Sequence, residues 1–315
     1  MINLFNIPQH KIDTANFSSL VHDKIVDELE ENFARYVGAK YACTANSASS
    51  LLFLALKTYT NTIISIPSTI PIVVPNVIAN TGNKIRFYDD TEWVGKCYRL
   101  HGNIFDSAQE VTRNQYSKLC NDNSIMIFSF YPTKPVGSCD GGIVVSNNKK
   151  NIDYFKTMTI NGTVLKKNSW SRKQICAGYK MHCNSIQAYI ANENLKKLDE
   201  KNSILDKINA SYNDAFDYNN NSRHLYRIRV DNNLEFVSGM QKEGIKCGIH
   251  YEHCHNKPAF ADSEIQYSCG CTNNCVCLLR SEQESTSTVS LPFHELLTNQ
   301  EINRVIKNVR KLANI

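Results

Sequence analysis

No stretch of this 315-residue chain approaches the roughly 18 consecutive apolar residues that a membrane-spanning helix needs, so no transmembrane segment is expected. The opening residues, "MINLFNIPQHKID", lack the charged and apolar blocks of a secretory signal, and the expected location is the cytoplasm. Strong charge of one sign is also lacking. Against 35 Lys and Arg stand 30 Asp and Glu, a formal +5, and the basic residues are scattered rather than gathered into a stripe. Neither a membrane nor a nucleic acid is therefore an expected partner. There is no internal repeat, and low complexity is confined to the polar run "SEQESTSTV" near the C-terminus.

Hydrophobic residues, at 42%, are as frequent as in ordinary folded proteins, and the length suits one large domain plus a smaller one. Cysteine is plentiful, with 12 residues, but without a secretory signal these read as reduced thiols rather than a disulfide framework. From Asp23 to Val37 apolar residues fall at Ile25, Val26, Leu29, Phe33 and Val37, which is helical spacing, and Gly38 follows as a C-terminal cap. "AKYACTANSASSLLFLALKTY" reads as a short strand, a polar turn and an apolar helix whose start is a natural anion site. "NTIISIP" and "NKIRFYD" read as buried strands around a helical segment between Pro67 and Asn80, and "GNIFDSAQ" and "SIMIFSFYP" as two more. This alternation predicts an α/β fold with a mostly parallel central sheet. From about Ser203 the texture changes: "YNNNSRHLYRIRV" gives a strand, "NLEFVSGMQKEGI" a helix ending near Gly244, and "NQEINRVIKNVRKLA" a closing amphipathic helix. The expected division is a large domain over residues 1–202 and a smaller α/β domain over 203–315.

In "FSFYPTKPVGSCDGG" a single lysine, Lys134, sits between a strand-like run and glycine-rich turns. Such a lysine can snorkel or form a surface ion pair; partly desolvated, it can instead form a Schiff base with a carbonyl. Asp106 ends the run "GNIFD", and in a parallel sheet both residues would emerge at the carboxyl edge, where α/β folds bind ligands. Asp106 could equally cap a helix, or keep a pyridine nitrogen protonated so that the ring accepts electrons. "TANSASS" opens a helix with hydroxyls and backbone N–H groups, either a plain cap or a phosphate cradle.

Six ordered segments resemble the DegT/DnrJ/EryC1/StrS family of sugar aminotransferases, fold-type I enzymes that use pyridoxal 5'-phosphate (PLP) to aminate keto groups on nucleotide-linked sugars. They are "DELEENFARYVGAKYACTANSASSLLFLAL", "IFDSAQ", "FSFYPTKPVGSCDGGIVVSNN", "AGYKMHCNSIQAYIANENLKKLDE", "GIHYEHCHNKPAF" and "SLPFHELLTNQEINRVI". The resemblance implies that Lys134 carries the cofactor and moves a proton, that Asp106 pairs with the ring nitrogen, that Gln109 contacts the ring hydroxyl and that Ala108 packs on a ring face. It implies a phosphate site at Ser129, Asn46 and Ser47, and a position at His182 that reaches the partner subunit's phosphate in a homodimer with a shared active site. Tyr131, His250, Tyr251 and His255 are the candidates for lining the sugar pocket. The amino donor implied is glutamate, with pyridoxamine phosphate as the intermediate form of the cofactor and a nucleoside-diphosphate keto-deoxysugar as acceptor.

Four features depart from the family pattern. The position that usually stacks an aromatic on the cofactor is Pro71; the segment "TEWVGKCYRL", with Trp93 and Tyr98, is shorter than its counterparts; His182 replaces Asn, Arg or Lys; and Asn161 stands before Gly162 where histidine is common. They frame the alternative reading, a regulatory or non-catalytic relative that binds a nucleotide sugar or PLP without turnover. Relatives that dehydrate carry histidine in place of the cofactor lysine, which is retained here. Cys269, Cys271, Cys275 and Cys277 offer four thiols at a Cys-x-Cys spacing tighter than structural zinc sites use, so a zinc site and a redox-sensitive loop both remain open. The group His250, His253, Cys254 and His255 falls inside a family signature, and no metal is expected at the site.

Overall fold

The computed structural model describes residues 1–21, 23–165, 172–266 and 278–313. Along the chain run α1 (Lys24–Val37), β1 (Tyr41–Ala45), α2 (Ala48–Leu56), β2 (Ile63–Pro67), α3 (Val73–Asn80), β3 (Lys84–Tyr88), β4 (Tyr98–His101) and β5 (Ile104–Asp106). Then follow α4 (Gln115–Leu119), β6 (Ile125–Ser129), β7 (Gly142–Ser146), α5 (Lys149–Thr159), β8 (Thr163–Leu165), β9 (Arg172–Gln174), α6 (Ser185–Lys196) and α7 (Leu198–Phe216). The C-terminal elements are β10 (Tyr226–Arg229), α8 (Asn233–Lys242), β11 (Glu264–Ile265), α9 (Leu279–Ser287), β12 (Thr288–Leu291) and α10 (Asn299–Ala313). The chain divides into two units: one of Ile7–Tyr59 and Cys97–Leu198, the other of Met1–Asn6, Thr60–Lys96 and Asp199–Ile315.

The first unit is built on a five-stranded sheet in the order β1-β7-β6-β5-β4. Only β5 and β6 pair in parallel; β1 with β7, β7 with β6, and β4 with β5 are antiparallel. The fold is α/β, and its sheet is mixed where the strand–helix alternation suggested mostly parallel pairing. One physical reason is the connection before β5: between His101 and Ile104 lie only Gly102 and Asn103, too few for a crossover helix, so the chain can only double back as a hairpin.

Helix α1 starts where the Asp23 carboxylate accepts the Ile25 N–H and stops at Gly38, whose φ of 78° belongs to the left-handed region. Leu29, Phe33 and Val37, spaced i, i+4 and i+8, are fully buried in a core shared with Met126, Phe128, Phe130, Ile143, Val145 and Ala188. Phe33 meets Phe128 and Phe130 edge-on, with ring centroids 4.9 and 5.5 Å apart. Its neighbour Glu30 is buried yet satisfied. Its carboxylate accepts the Thr44 N–H and hydroxyl at 2.8 and 3.0 Å and pairs with Lys156 at 2.7 Å, tying α1 to β1 and α5. Burial raises the Glu30 pKa, and the Lys156 charge opposes that rise.

In the second unit β2 and β3 pair in parallel around α3, with β11 added to the other side of β3. A separate ribbon of β10 and β12 is packed among Tyr212, Phe236, Met240, Val305 and Val309. Residues 60–96 belong with the C-terminal segment for two visible reasons: β11 pairs with β3, and the Asp89 carboxylate accepts the Ser281 N–H and hydroxyl, both at 2.8 Å, near the start of α9. The polar run 281–289 forms most of α9 and the start of β12. Glu284 within it is buried and bound by Arg227 and Arg229 at 2.7 and 2.9 Å, which gives these polar residues a structural place.

Phe33→Ala removes a fully buried ring from beneath the strand that leads to Lys134. The expected loss of unfolding free energy is about 3–5 kcal/mol, read by urea denaturation; a loss below about 1 kcal/mol would contradict this packing.

Candidate active site

Four chain segments of the first unit end together at one edge of its sheet. Asp106 is the last residue of β5 and Ser129 the last of β6, strands paired in parallel with Asp106 opposite Ile127. Ser129 pairs with Gly142 at the start of β7, and Ala45, at the end of β1, pairs with the same Gly142. Asn46 and Ser47 then lead into α2, with Ser47 bridging to Gly141. Gly142 is needed there because a Cβ would lie 2.5 Å from the Ala48 nitrogen; glycine lets the head of α2 lie against the strand end.

The head of α2 is a preorganised donor cluster. The Ser47 hydroxyl caps the Ser50 N–H at 3.1 Å, and the Ser50 hydroxyl donates to the Asn46 side-chain oxygen at 2.7 Å. The N–H groups of Ala48 and Ser49, heading the helix, have no intrahelical partner by geometry, and the helix dipole favours an anion there. The turn is held from below: the Asn46 N–H donates to the Met181 carbonyl at 2.7 Å, and Gln187 Nε2 donates to the Asn46 carbonyl at 3.2 Å. Half-buried His182 thus directly follows the residue that anchors Asn46.

Lys134 lies in the turn after β6. Its N–H donates to the Tyr131 carbonyl at 2.9 Å, the Ser138 N–H donates to the Phe130 carbonyl at 2.8 Å, and the Ser138 hydroxyl donates to the Gln187 carbonyl at 2.9 Å. At Gly137 a Cβ would come within 2.3 Å of the Pro132 carbonyl oxygen, so this turn closes only around a glycine. Burial pushes the Lys134 amine from the ordinary lysine range down to about 8, and the Asp106 carboxylate acts in the opposite sense. Burial likewise raises the Asp106 pKa, against the Ala108 N–H at 2.9 Å, the Tyr98 hydroxyl at 3.0 Å and the charge of Lys134. Gln109 and Ser129 are buried, Ala108 is half-buried, and the Ser129 hydroxyl accepts the Tyr131 N–H at 3.2 Å.

Of the candidates for the sugar pocket, Tyr131 belongs to this unit and is exposed. His250, Tyr251 and His255 belong to the second unit. There, His250 Nδ1 lies 3.0 Å from the Ser290 hydroxyl, Tyr251 stacks on Trp93 with centroids 6.2 Å apart, and buried His255 bridges Ser68 (2.7 Å) and Glu282 (3.3 Å). Trp93 also donates its indole N–H to the Thr69 carbonyl at 3.0 Å. Among the described residues no group of three or more His, Cys, Asp or Glu could hold a metal ion. The thiols Cys269, Cys271, Cys275 and Cys277 lie outside the described residues. Tyr98 was legible in the sequence only as an aromatic of unassigned place. The available signal was the Gly102-Asn103 turn, which folds position 98 back opposite position 106.

An amine, a carboxylate that influences its titration and the N-terminus of a helix thus share one edge of an α/β sheet. The model of the DegT/DnrJ/EryC1/StrS aminotransferase family matches residues 9–91 and 103–310, and the chain belongs to that family. A UDP-4-amino-4,6-dideoxy-N-acetyl-beta-L-altrosamine transaminase of Campylobacter jejuni is 27% identical over 78% of this chain and 82% of its own. Two solved structures share the fold. Helicobacter pylori PseC, an aminotransferase involved in pseudoaminic acid biosynthesis, superposes with a TM-score of 0.76 at 19% identity over 98% of this chain and 99% of its own. Streptococcus pneumoniae Spr1654 in its PLP form gives 0.80 at 16% identity over 98% of both chains. The fold is thus that of the fold-type I aminotransferases.

Asp106→Asn removes the charge that holds up the Lys134 pKa, so the amine of the apoprotein should titrate at lower pH than in the parent. Carbon-13 NMR of reductively methylated protein reads this; an unchanged Lys134 titration would show that the two groups do not sense each other.

Proposed function

We propose that this chain is a PLP-dependent aminotransferase that moves an amino group, donated by glutamate, to the keto carbon of a deoxysugar carried on a nucleoside diphosphate. The observation that carries this reading is the Lys134 amine, lowered to about 8 beside the Asp106 carboxylate at the same sheet edge as the head of α2. The donor set suits PLP by its chemistry: an amine for an aldehyde, a carboxylate for a ring nitrogen, and hydroxyl and N–H groups for a phosphate.

When bound, PLP supplies an electrophilic carbonyl and an electron-accepting ring. Lys134 Nζ would hold the cofactor covalently and, with its pKa lowered to about 8, could both take up and return a proton. Asp106 would present negative charge to the ring nitrogen, its position set by the Ala108 N–H and the Tyr98 hydroxyl. Ser47, Asn46 and Ser129 would hold the phosphate together with the first N–H groups of α2, and Ala108 and Gln109 would contact the ring. Tyr131 of the first unit and, separately, His250, Tyr251 and His255 of the second are the candidates for contacting the sugar. The nucleotide, remote from the reacting carbon, provides binding energy that orients it.

We further propose a cytoplasmic homodimer in which His182 reaches the partner's phosphate. No helix among the described residues is long and apolar enough to cross a membrane. Turnover is favoured over a binding-only role because Lys134, Asp106, Gln109 and Ser129 are all present, and storage of a ligand needs no amine poised near neutrality.

With glutamate as donor and a UDP-linked 4-keto-6-deoxysugar as acceptor, the parent enzyme should form amino sugar, and Lys134→Ala should lower the rate at least about 1000-fold while keeping the parent melting temperature. Parent-level turnover by the variant would refute the assignment.

A further inference from the structure

The family match stops at residue 91 and resumes at 103, so the intervening segment belongs to this chain rather than to the shared family pattern. It nevertheless contains the whole of β4 (Tyr98–His101), the strand that pairs with β5, and Tyr98 is the register partner of Asp106. The hairpin is pinned from outside by the Tyr59 ring, which meets the His101 ring edge-on at 4.8 Å. A Cβ on Gly102 would approach the Tyr59 hydroxyl to 2.7 Å, so glycine at the turn also allows that ring its place.

The consequence falls on Asp106. One carboxylate oxygen accepts the Ala108 N–H at 2.9 Å, a contact that any aspartate two residues before an amide can make in such a turn. The other accepts the Tyr98 hydroxyl at 3.0 Å, a bond that exists only because the connection is a hairpin. Each oxygen keeps a further lone pair for an N–H partner. A hydrogen bond donated to a buried carboxylate favours its ionised form, against the burial that raises the Asp106 pKa. The other titratable groups facing Asp106 are Lys134, from the turn after β6, and Cys97, just before β4. Burial pushes the Cys97 thiol up to about 12, so it stays neutral near physiological pH.

Resting on the cofactor reading above, we infer that Tyr98 is a positioning residue, supplied by the β4–β5 hairpin, which keeps Asp106 ionised and aimed at the cofactor's ring nitrogen. An uncharged Asp106 would leave that nitrogen unprotonated and weaken the hold on the cofactor's amine form.

The test measures binding of pyridoxamine 5'-phosphate to the apoprotein by calorimetry between pH 6 and 9, for the parent, Tyr98→Phe, Asp106→Asn and the double variant. Phenylalanine preserves the ring and removes only the hydroxyl, so the apo melting temperature should stay within about 2 °C. Tyr98→Phe should bind about tenfold more weakly at pH 7. The sign follows from the bond: without it the Asp106 pKa rises, so binding should fail at a higher pH than in the parent as the solution is acidified. In the Asp106→Asn background, removal of the hydroxyl should cost nothing more. Equal affinity of parent and Tyr98→Phe at every pH would overturn the inference while leaving the cofactor reading intact. The same loss in the Asp106→Asn background would also overturn it, by showing a merely structural role. If the parent itself binds no pyridoxamine phosphate, the cofactor reading falls, and the inference with it.

Discussion

A half-buried primary amine and a half-buried carboxylate each pay for partial desolvation, and each lowers the other's cost. That mutual dependence between Lys134 and Asp106 organises the first unit. Burial drives the amine down to about 8 and the acid upward, while each charge moderates the other's shift. Such a pair persists only where the surrounding backbone leaves it little freedom. Here the lysine turn is closed by three hydrogen bonds, to Tyr131, Phe130 and Gln187, and the acid ends a strand between two paired neighbours. Beneath them, Phe128 and Phe130 are seated against Phe33 in the core.

The same constraint gives α6 a part in holding this sheet edge. Through Gln187 it receives the Ser138 hydroxyl on its backbone and holds the Asn46 carbonyl with its side chain, so one residue links the lysine turn to the head of α2. Gln187 is fixed in turn by the reciprocal capping of Asn184 at the start of the helix.

Much of this was legible in the residues. Asp23 and Gly38 mark both ends of α1, the i, i+4, i+8 spacing of Leu29, Phe33 and Val37 marks its buried face, and the Ser47 cap marks α2, because each depends on neighbours close in sequence. Lys134, Asp106, Ser129, Asn46 and Ser47 were recognisable as a set and do come together at one sheet edge. The mixed pairing was not legible, since alternating strand and helix texture says little about strand direction. For β4 and β5 it turned on the two residues Gly102 and Asn103. Tyr98 was missed for the same reason, its partner being set by hairpin register rather than by a motif. The grouping of residues 60–96 with the C-terminal segment depends on the β3–β11 pairing and on Asp89, contacts nearly 180 residues or more apart in sequence, of which local patterns carry no trace. Asn161, unusual beside family members, has a local rationale: its φ of 66° is one that asparagine tolerates better than most residues.

On the proposed function, the cofactor is bonded to Lys134. Incubating the purified chain with PLP, reducing it with borohydride and mapping the modified peptide by mass spectrometry tests this most directly. The account predicts a visible absorbance band that vanishes on reduction and a phosphopyridoxyl mass on Lys134 alone; no band, or an adduct on a different lysine, would contradict it.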